Sequence, residues 1–164
     1  MALFNGTHVQ NFDAKGRVSV PASFRAVLRA GMANPAAPGD GPASLPMVLR
    51  PSDKFQCIEA LTEIRHLALE AELEKLDPLS LQYDALATVL FADAWPVETD
   101  KEGRVIVPDS LLAFAGIARA GAIAFVGIGP RFQIWHPGQV PNRKAEARAI
   151  VGKSRAAHQP GPVA

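Results

Sequence analysis

A phrase of eleven consecutive residues occurs twice in this 164-residue chain, and that recurrence restricts its fold more than any bulk property does. The first copy is Asp13-Ala14-Lys15-Gly16-Arg17-Val18-Ser19-Val20-Pro21-Ala22-Ser23, and the second is Asp100-Lys101-Glu102-Gly103-Arg104-Val105-Ile106-Val107-Pro108-Asp109-Ser110. Seven of the eleven aligned positions are identical, at an offset of 87 residues. Solenoid repeats are far shorter than that. The spacing predicts two halves of similar construction, each presenting an arginine on a tight turn.

Asp at the first position of a type I turn and Gly at the fourth are favoured, and Gly accepts the left-handed conformation that closes such a turn. Asp13, Gly16, Asp100 and Gly103 are therefore assigned to turn geometry. Strands over 4–12 and 17–20 flank the first turn, and strands over 94–99 and 104–107 flank the second, which predicts two hairpins. Each runs into a short helix entered by a proline, Pro21 or Pro108. Phe24, Val27 and Leu28 form the apolar face of the first helix, with Gly31 as its stop. Further strands are expected over 47–50, 55–59, 123–128 and 132–135. Helices are expected over 61–76 and 79–91, the first ended by Asp77-Pro78. The proline-rich stretch over 34–46 reads as a peripheral loop, and the end of the chain as a helical segment around 143–151 followed by a mobile tail.

Apolar residues make up 48% of the chain and charged residues 20%, enough for a packed core. The net charge of +1 gives no global pointer to a polyanion, so binding to one must come from local clusters. The charge is segregated. Lys15, Arg17, Arg25 and Arg29 face a single acid over 13–29, six acids face Arg65 and Lys75 over 59–77, and five bases face Glu146 over 143–155. A single cysteine, Cys57, excludes an intramolecular disulfide and reads as core. His8, His66, His136 and His158 show no ligand spacing, and no phosphate loop or dinucleotide fingerprint is present. No catalytic residue, metal site, cofactor or small-molecule substrate is expected. No leader or membrane span is read, so the expected location is the cytoplasm.

The segment His8-Val9-Gln10-Asn11-Phe12-Asp13-Ala14-Lys15-Gly16-Arg17-Val18-Ser19-Val20-Pro21, with the second Asp-x-x-Gly-Arg copy downstream, resembles the start of the MraZ family of bacterial transcriptional regulators. The resemblance extends over residues 1 to about 150. It implies an α+β, β-rich fold: two AbrB-like swapped-hairpin halves in one chain, forming a pseudo-twofold β-barrel with short flanking helices. The divisions it suggests are a first half over 1–58, linking helices over 59–92, a second half over 93–140, and a C-terminal helix and tail over 141–164. It further implies a ring-shaped homo-oligomer, associated with the nucleoid, that binds direct repeats in double-stranded promoter DNA and represses its own division and cell-wall gene cluster.

By that resemblance Lys15, Arg17 and Arg104 are the DNA-binding residues. A guanidinium bonds guanine O6 and N7 together, worth about 1–3 kcal/mol of discrimination, which suits Arg17 to base contact. Lys15, a flexible point charge, suits phosphate. Taken alone, the residues leave a second reading open, in which Arg17 pairs with Asp13 and only staples its own turn. For Arg104 both readings stand, and Glu102 in place of Lys15 weakens the second loop as a phosphate contact; no DNA contact is assigned to Leu112, which stands where the family often has Arg. Two other functions compete. One is an AbrB-like antitoxin, which usually has one such half and a disordered toxin-binding tail. The other is a hydrolase using Asp13 and Asp100 as a shared-proton dyad.

Overall fold

The computed structural model describes residues 2–34 and 44–158. Each half contributes four strands and one helix in the same order. The first supplies β1 (Thr7–Asn11), β2 (Val18–Ser19), α1 (Ala22–Ala30), β3 (Pro46–Pro51) and β4 (Ile58–Leu61). The second supplies β5 (Trp95–Glu98), β6 (Arg104–Val105), α5 (Asp109–Phe114), β7 (Ala122–Gly127) and β8 (Phe132–Trp135). Between them lie α2 (Glu63–Ala68), α3 (Glu70–Leu73) and α4 (Leu81–Ala87), the last continued by a wider turn over Thr88–Ala92. The chain closes with α6 (Val140–Ala157). Among the described residues no helix is long and apolar enough to cross a membrane.

Six strands form one antiparallel sheet in the order β1-β7-β8-β4-β3-β5, and β2 pairs with β6 in a separate ribbon. Exchanging the halves reverses the six-strand order and leaves it otherwise unchanged, so the topology has a pseudo-twofold between β8 and β4. The first strand of each half has crossed to the other: β1 pairs with β7, and β5 with β3. Both crossed strands are sheet edges, and Pro96 sits in one of them, where a missing N–H is tolerated.

Two expectations are corrected here. The predicted hairpins do not form, because the strands flanking each turn pair elsewhere and not with each other. One backbone bond, Asp13 N to Arg17 O at 2.8 Å, closes the first turn, and the Arg17 N–H goes to the Asp13 side chain instead of to a ladder. The expected closed barrel is an open sheet, since no ladder joins β1 to β5. Strand direction puts the end of β1 and the end of β5 at diagonally opposite corners. Arg17 Nη1 nevertheless lies 3.7 Å from Asp100 Oδ2, so the sheet must coil strongly to bring the corners together.

Smaller differences have local causes. The strand expected over 55–59 begins at Ile58, because Ser52 Oγ accepts from the Lys54 and Phe55 amides and holds that stretch in a loop. The helix expected from residue 61 begins after Thr62, whose hydroxyl accepts from Arg65 N. It divides at Leu69, where a bond from Leu69 N to His66 O tightens the chain. The loop expected over 34–46 lies mostly outside the described residues. At the other end α6 continues to Ala157, past the expected stop, and the last six residues also lie outside the described part.

The core fills the concave side of the coiled sheet. Phe24 of α1 meets Phe4, Phe125 and Phe132 at ring-centroid distances of 5.2, 6.3 and 5.0 Å. Val18, Val20, Val105 and Val107 bring both ribbon segments into the same cluster, which is what fixes the turns to the body. The sheet edge is equally tight. A Cβ added at Gly127 would lie 2.5 Å from the Phe4 carbonyl carbon and 2.6 Å from Asn5 N. Backbone cannot move aside as a side chain can. Gly127→Ala is therefore expected to destabilise the protein by about 1–3 kcal/mol or more, read as a lower urea midpoint.

Candidate nucleic-acid interface

Both turns are organised by their aspartates. Asp13 Oδ1 accepts from the Lys15 and Arg17 amides, each at 2.9 Å, and Oδ2 accepts from Arg17 Nε at 2.8 Å. The second turn repeats this: Asp100 Oδ1 accepts from the Glu102 and Arg104 amides at 3.0 and 2.9 Å, and Oδ2 from Arg104 Nε at 2.9 Å. Gly16 and Gly103 take φ of +76° and +82°, as the turn geometry requires.

The β2–β6 ribbon then brings the turns side by side, with Ser19 opposite Arg104. Asp13, Arg17, Asp100 and Arg104 form one chain of alternating charge, joined by the contact between Arg17 and Asp100. Arg17 and Arg104 are only 23% and 31% exposed at their side chains, while Lys15, Lys101 and Glu102 stand out in solvent. The stapling reading of Arg17 thus describes its Nε. Its outer edge is less occupied: Nη1 is 3.7 Å from Asp100, and Nη2 has no hydrogen-bond partner among the described residues. Arg104 differs, because its Nη2 donates to Glu102 at 3.1 Å.

Each half also covers the other's turn glycine. Arg119, of the second half, donates through Nη1 to Gly16 O at 2.8 Å and through Nη2 to Asp109 Oδ1 at 2.6 Å. Its stem passes so close that a Cβ at Gly16 would lie 2.7 Å from Arg119 Cδ. Arg25, of the first half, packs on Gly103 in the same manner, at 2.5 Å from the Cβ position. Sequence reading assigned neither residue. Arg25 had a signal in the basic cluster over 13–29, but its repeat position holds Leu112. The repeat position of Arg119 holds Met32, so the duplication could not reveal it.

Hydrogen bonds from the Arg17 and Arg104 backbone amides, with lesser help from their guanidinium groups, hold the Asp13 and Asp100 carboxyls below the usual aspartate range. Hydrogen bonding to Asp100 raises Arg104 in turn. A shared-proton dyad requires one carboxyl to be raised. Both are lowered, so the geometry opposes that chemistry. Burial, with the nearby Glu59 charge, pushes the Cys57 thiol up to about 12, which makes it core and not nucleophile. Among the described residues no cluster of His, Cys, Asp and Glu could hold a metal ion.

A depressed carboxyl pKa stabilises the fold above the unfolded-state value, and that contribution is lost as pH falls through the lower folded value. Stability should therefore be level near neutrality and decline in acid, beginning as pH falls into the ordinary aspartate range and ending below the lowered folded values. Urea unfolding from neutral pH to about pH 2 measures it. An identical acid profile in Asp13→Asn/Asp100→Asn would remove these carboxylates as the cause.

The fold and site define a class: a tandem-repeat, β-rich α+β protein that exchanges strands between its halves and pools their arginine-bearing turns at one place. Comparison with known proteins adds the family. The family model described as "MraZ protein, putative antitoxin-like" matches residues 3–33 and 90–148. A protein named Transcriptional regulator MraZ from Gluconacetobacter diazotrophicus is 45% identical over 90% of this chain and 87% of its own length. Proteins of the same name from Gluconobacter oxydans and Rickettsia bellii are 44% and 39% identical, over 91% and 88% of this chain and 85% and 88% of their own lengths. The chain belongs to the MraZ family.

Proposed function

We propose that this protein is a sequence-specific DNA-binding transcriptional regulator that represses its own division and cell-wall gene cluster. In this reading the strand exchange marks two AbrB-like swapped-hairpin halves, over 1–58 and 93–140, joined by linking helices over 59–92. The protein works in the cytoplasm at the nucleoid, without a cofactor, as a ring-shaped homo-oligomer. Lys15 lies on phosphate, Arg17 reads a base edge, and Arg104 contributes from the second turn. One subunit makes few contacts, so binding depends on several subunits meeting repeated sites in one promoter at high effective concentration.

One observation carries the reading: beside an exposed Lys15, Arg17 Nη2 has no hydrogen-bond partner among the described residues and Nη1 has only the 3.7 Å contact with Asp100, while the Nε side is clamped by Asp13. A guanidinium held on one edge is pre-oriented, which lowers the ordering cost of a bidentate contact. The experiment is fluorescence anisotropy with a duplex from upstream of the protein's own gene and a shuffled duplex of equal length. The wild type should prefer the promoter duplex, and Arg17→Ala should lose most of that preference. Equal affinity for both duplexes would reject operator recognition, and an unchanged preference in the variant would reject Arg17 as the reader.

A further inference from the structure

Helix α6 is attached to the body only at its root. Val140 is buried, and the Arg143 guanidinium lies 3.9 Å from the Phe55 ring centroid. Every residue from Arg148 to Ala157 is exposed, about 15 Å of helix. Lys144, Arg148 and Arg155 fall at i, i+4 and i+11, so they line one face, with Val151 between them. Like charges at i and i+4 destabilise an isolated helix, and a segment this short is marginal in water even without them. The one acid in the helix, Glu146, lies toward Arg143 at 3.9 Å. Among the described residues Lys144, Arg148 and Arg155 have no anionic partner.

The row calls for an anion, and two sources differ in how well they match it. The acidic segment of a second copy is largely engaged already. Glu59 is buried against Arg131, Glu63 accepts from Ala33 N, Glu72 pairs with Lys75, and Asp77 accepts from Leu79 N. Glu70 and Glu74 remain, about 6 Å apart along α3, against a basic row of about 16 Å. A duplex offers a charge every 1.7 Å or so. Its backbone matches the length of the row; the acidic segment of a second copy does not.

Position agrees. Asn11, at the end of β1 before the first turn, pairs with Ala122, and Trp135, just before the root of α6, pairs with Ala124. The first turn and the helix therefore leave the same end of the sheet, two strands apart, or about 10 Å.

We propose that α6 is a second nucleic-acid contact, in which Lys144, Arg148 and Arg155 lie along the phosphates of the duplex that the turns engage. The contact is independent of base sequence, and it rests on the functional reading above only in taking duplex DNA as the partner. The test measures affinity against salt for the full-length wild type and Lys144→Ala/Arg148→Ala/Arg155→Ala, on the promoter duplex and on the shuffled one. These exposed substitutions leave the body folded, which an unchanged thermal midpoint checks. Three lost phosphate contacts should reduce the slope of log affinity against log salt by about 2.7 per bound subunit on both duplexes, while the ratio between duplexes stays fixed. Unchanged slopes overturn the proposal. So does a changed subunit count by native mass spectrometry with unchanged slopes, which would assign the helix to contacts between copies. If the wild type binds both duplexes equally and the variant lowers both slopes, α6 stands and operator recognition falls. A wild type that binds neither duplex sinks both.

Discussion

Phe24→Ala should lower the unfolding free energy by about 3–5 kcal/mol, the usual cost of emptying a buried aromatic site. Phe24 is fully buried, and its ring touches Phe4 from the N-terminal segment together with Phe125 and Phe132 from the second half. The cavity would thus open where the two halves meet and where neither can collapse alone. A domain of this size is usually stable by about 5–15 kcal/mol, so the loss is a large share of the total. The expected observation is a much lower urea midpoint with little change in slope. The effect should reach the turns as well, because the next residue, Arg25, is the one that covers Gly103. A loss under about 1 kcal/mol would mean that the aromatic cluster packs loosely enough to refill the site.

What the sequence reveals about this molecule divides by range. The turns were legible because their causes are local: an aspartate that accepts two nearby amides, and a glycine that takes positive φ. The apolar face of α1 was legible for the same reason, since Phe24, Val27 and Leu28 are all buried as their spacing requires. The partners of each strand were not. Two strands around a short turn ordinarily pair with each other, and nothing near residue 13 says that β1 will find β7 more than a hundred residues away. The same applies to the site. Lys15, Arg17 and Arg104 are named through the family resemblance that the repeated phrase carries, yet the Arg17–Asp100 contact and the capping of Gly16 by Arg119 depend on the coiled sheet. Asymmetry was visible in the turns themselves as Glu102 in place of Lys15. In the structure that exchange becomes a hydrogen bond that occupies Nη2 of Arg104 and has no equivalent at Nη2 of Arg17.

That asymmetry gives the sharpest separation between an arginine that staples and one that reads. Arg17→Lys and Arg104→Lys each keep the positive charge and remove the planar fork, and the two residues hold their own aspartates at nearly equal distances, 2.8 and 2.9 Å. If both only staple, the two variants should lose similar stability and leave any preference for promoter DNA intact. If Arg17 reads a base edge, Arg17→Lys should lose about 5- to 160-fold of that preference at each site, the equivalent of about 1–3 kcal/mol. Repetition of the contact around an oligomer multiplies the loss on a duplex carrying several sites. Arg104→Lys should lose far less, because Glu102 already accepts from its Nη2 and a base would have to displace that carboxylate. Glu102→Lys, which recreates the first turn's pattern in the second, should then raise affinity for promoter and shuffled duplexes alike through an added phosphate contact. Equal losses of preference in Arg17→Lys and Arg104→Lys would show that the Glu102 contact does not hold Arg104 back and that both turns read bases.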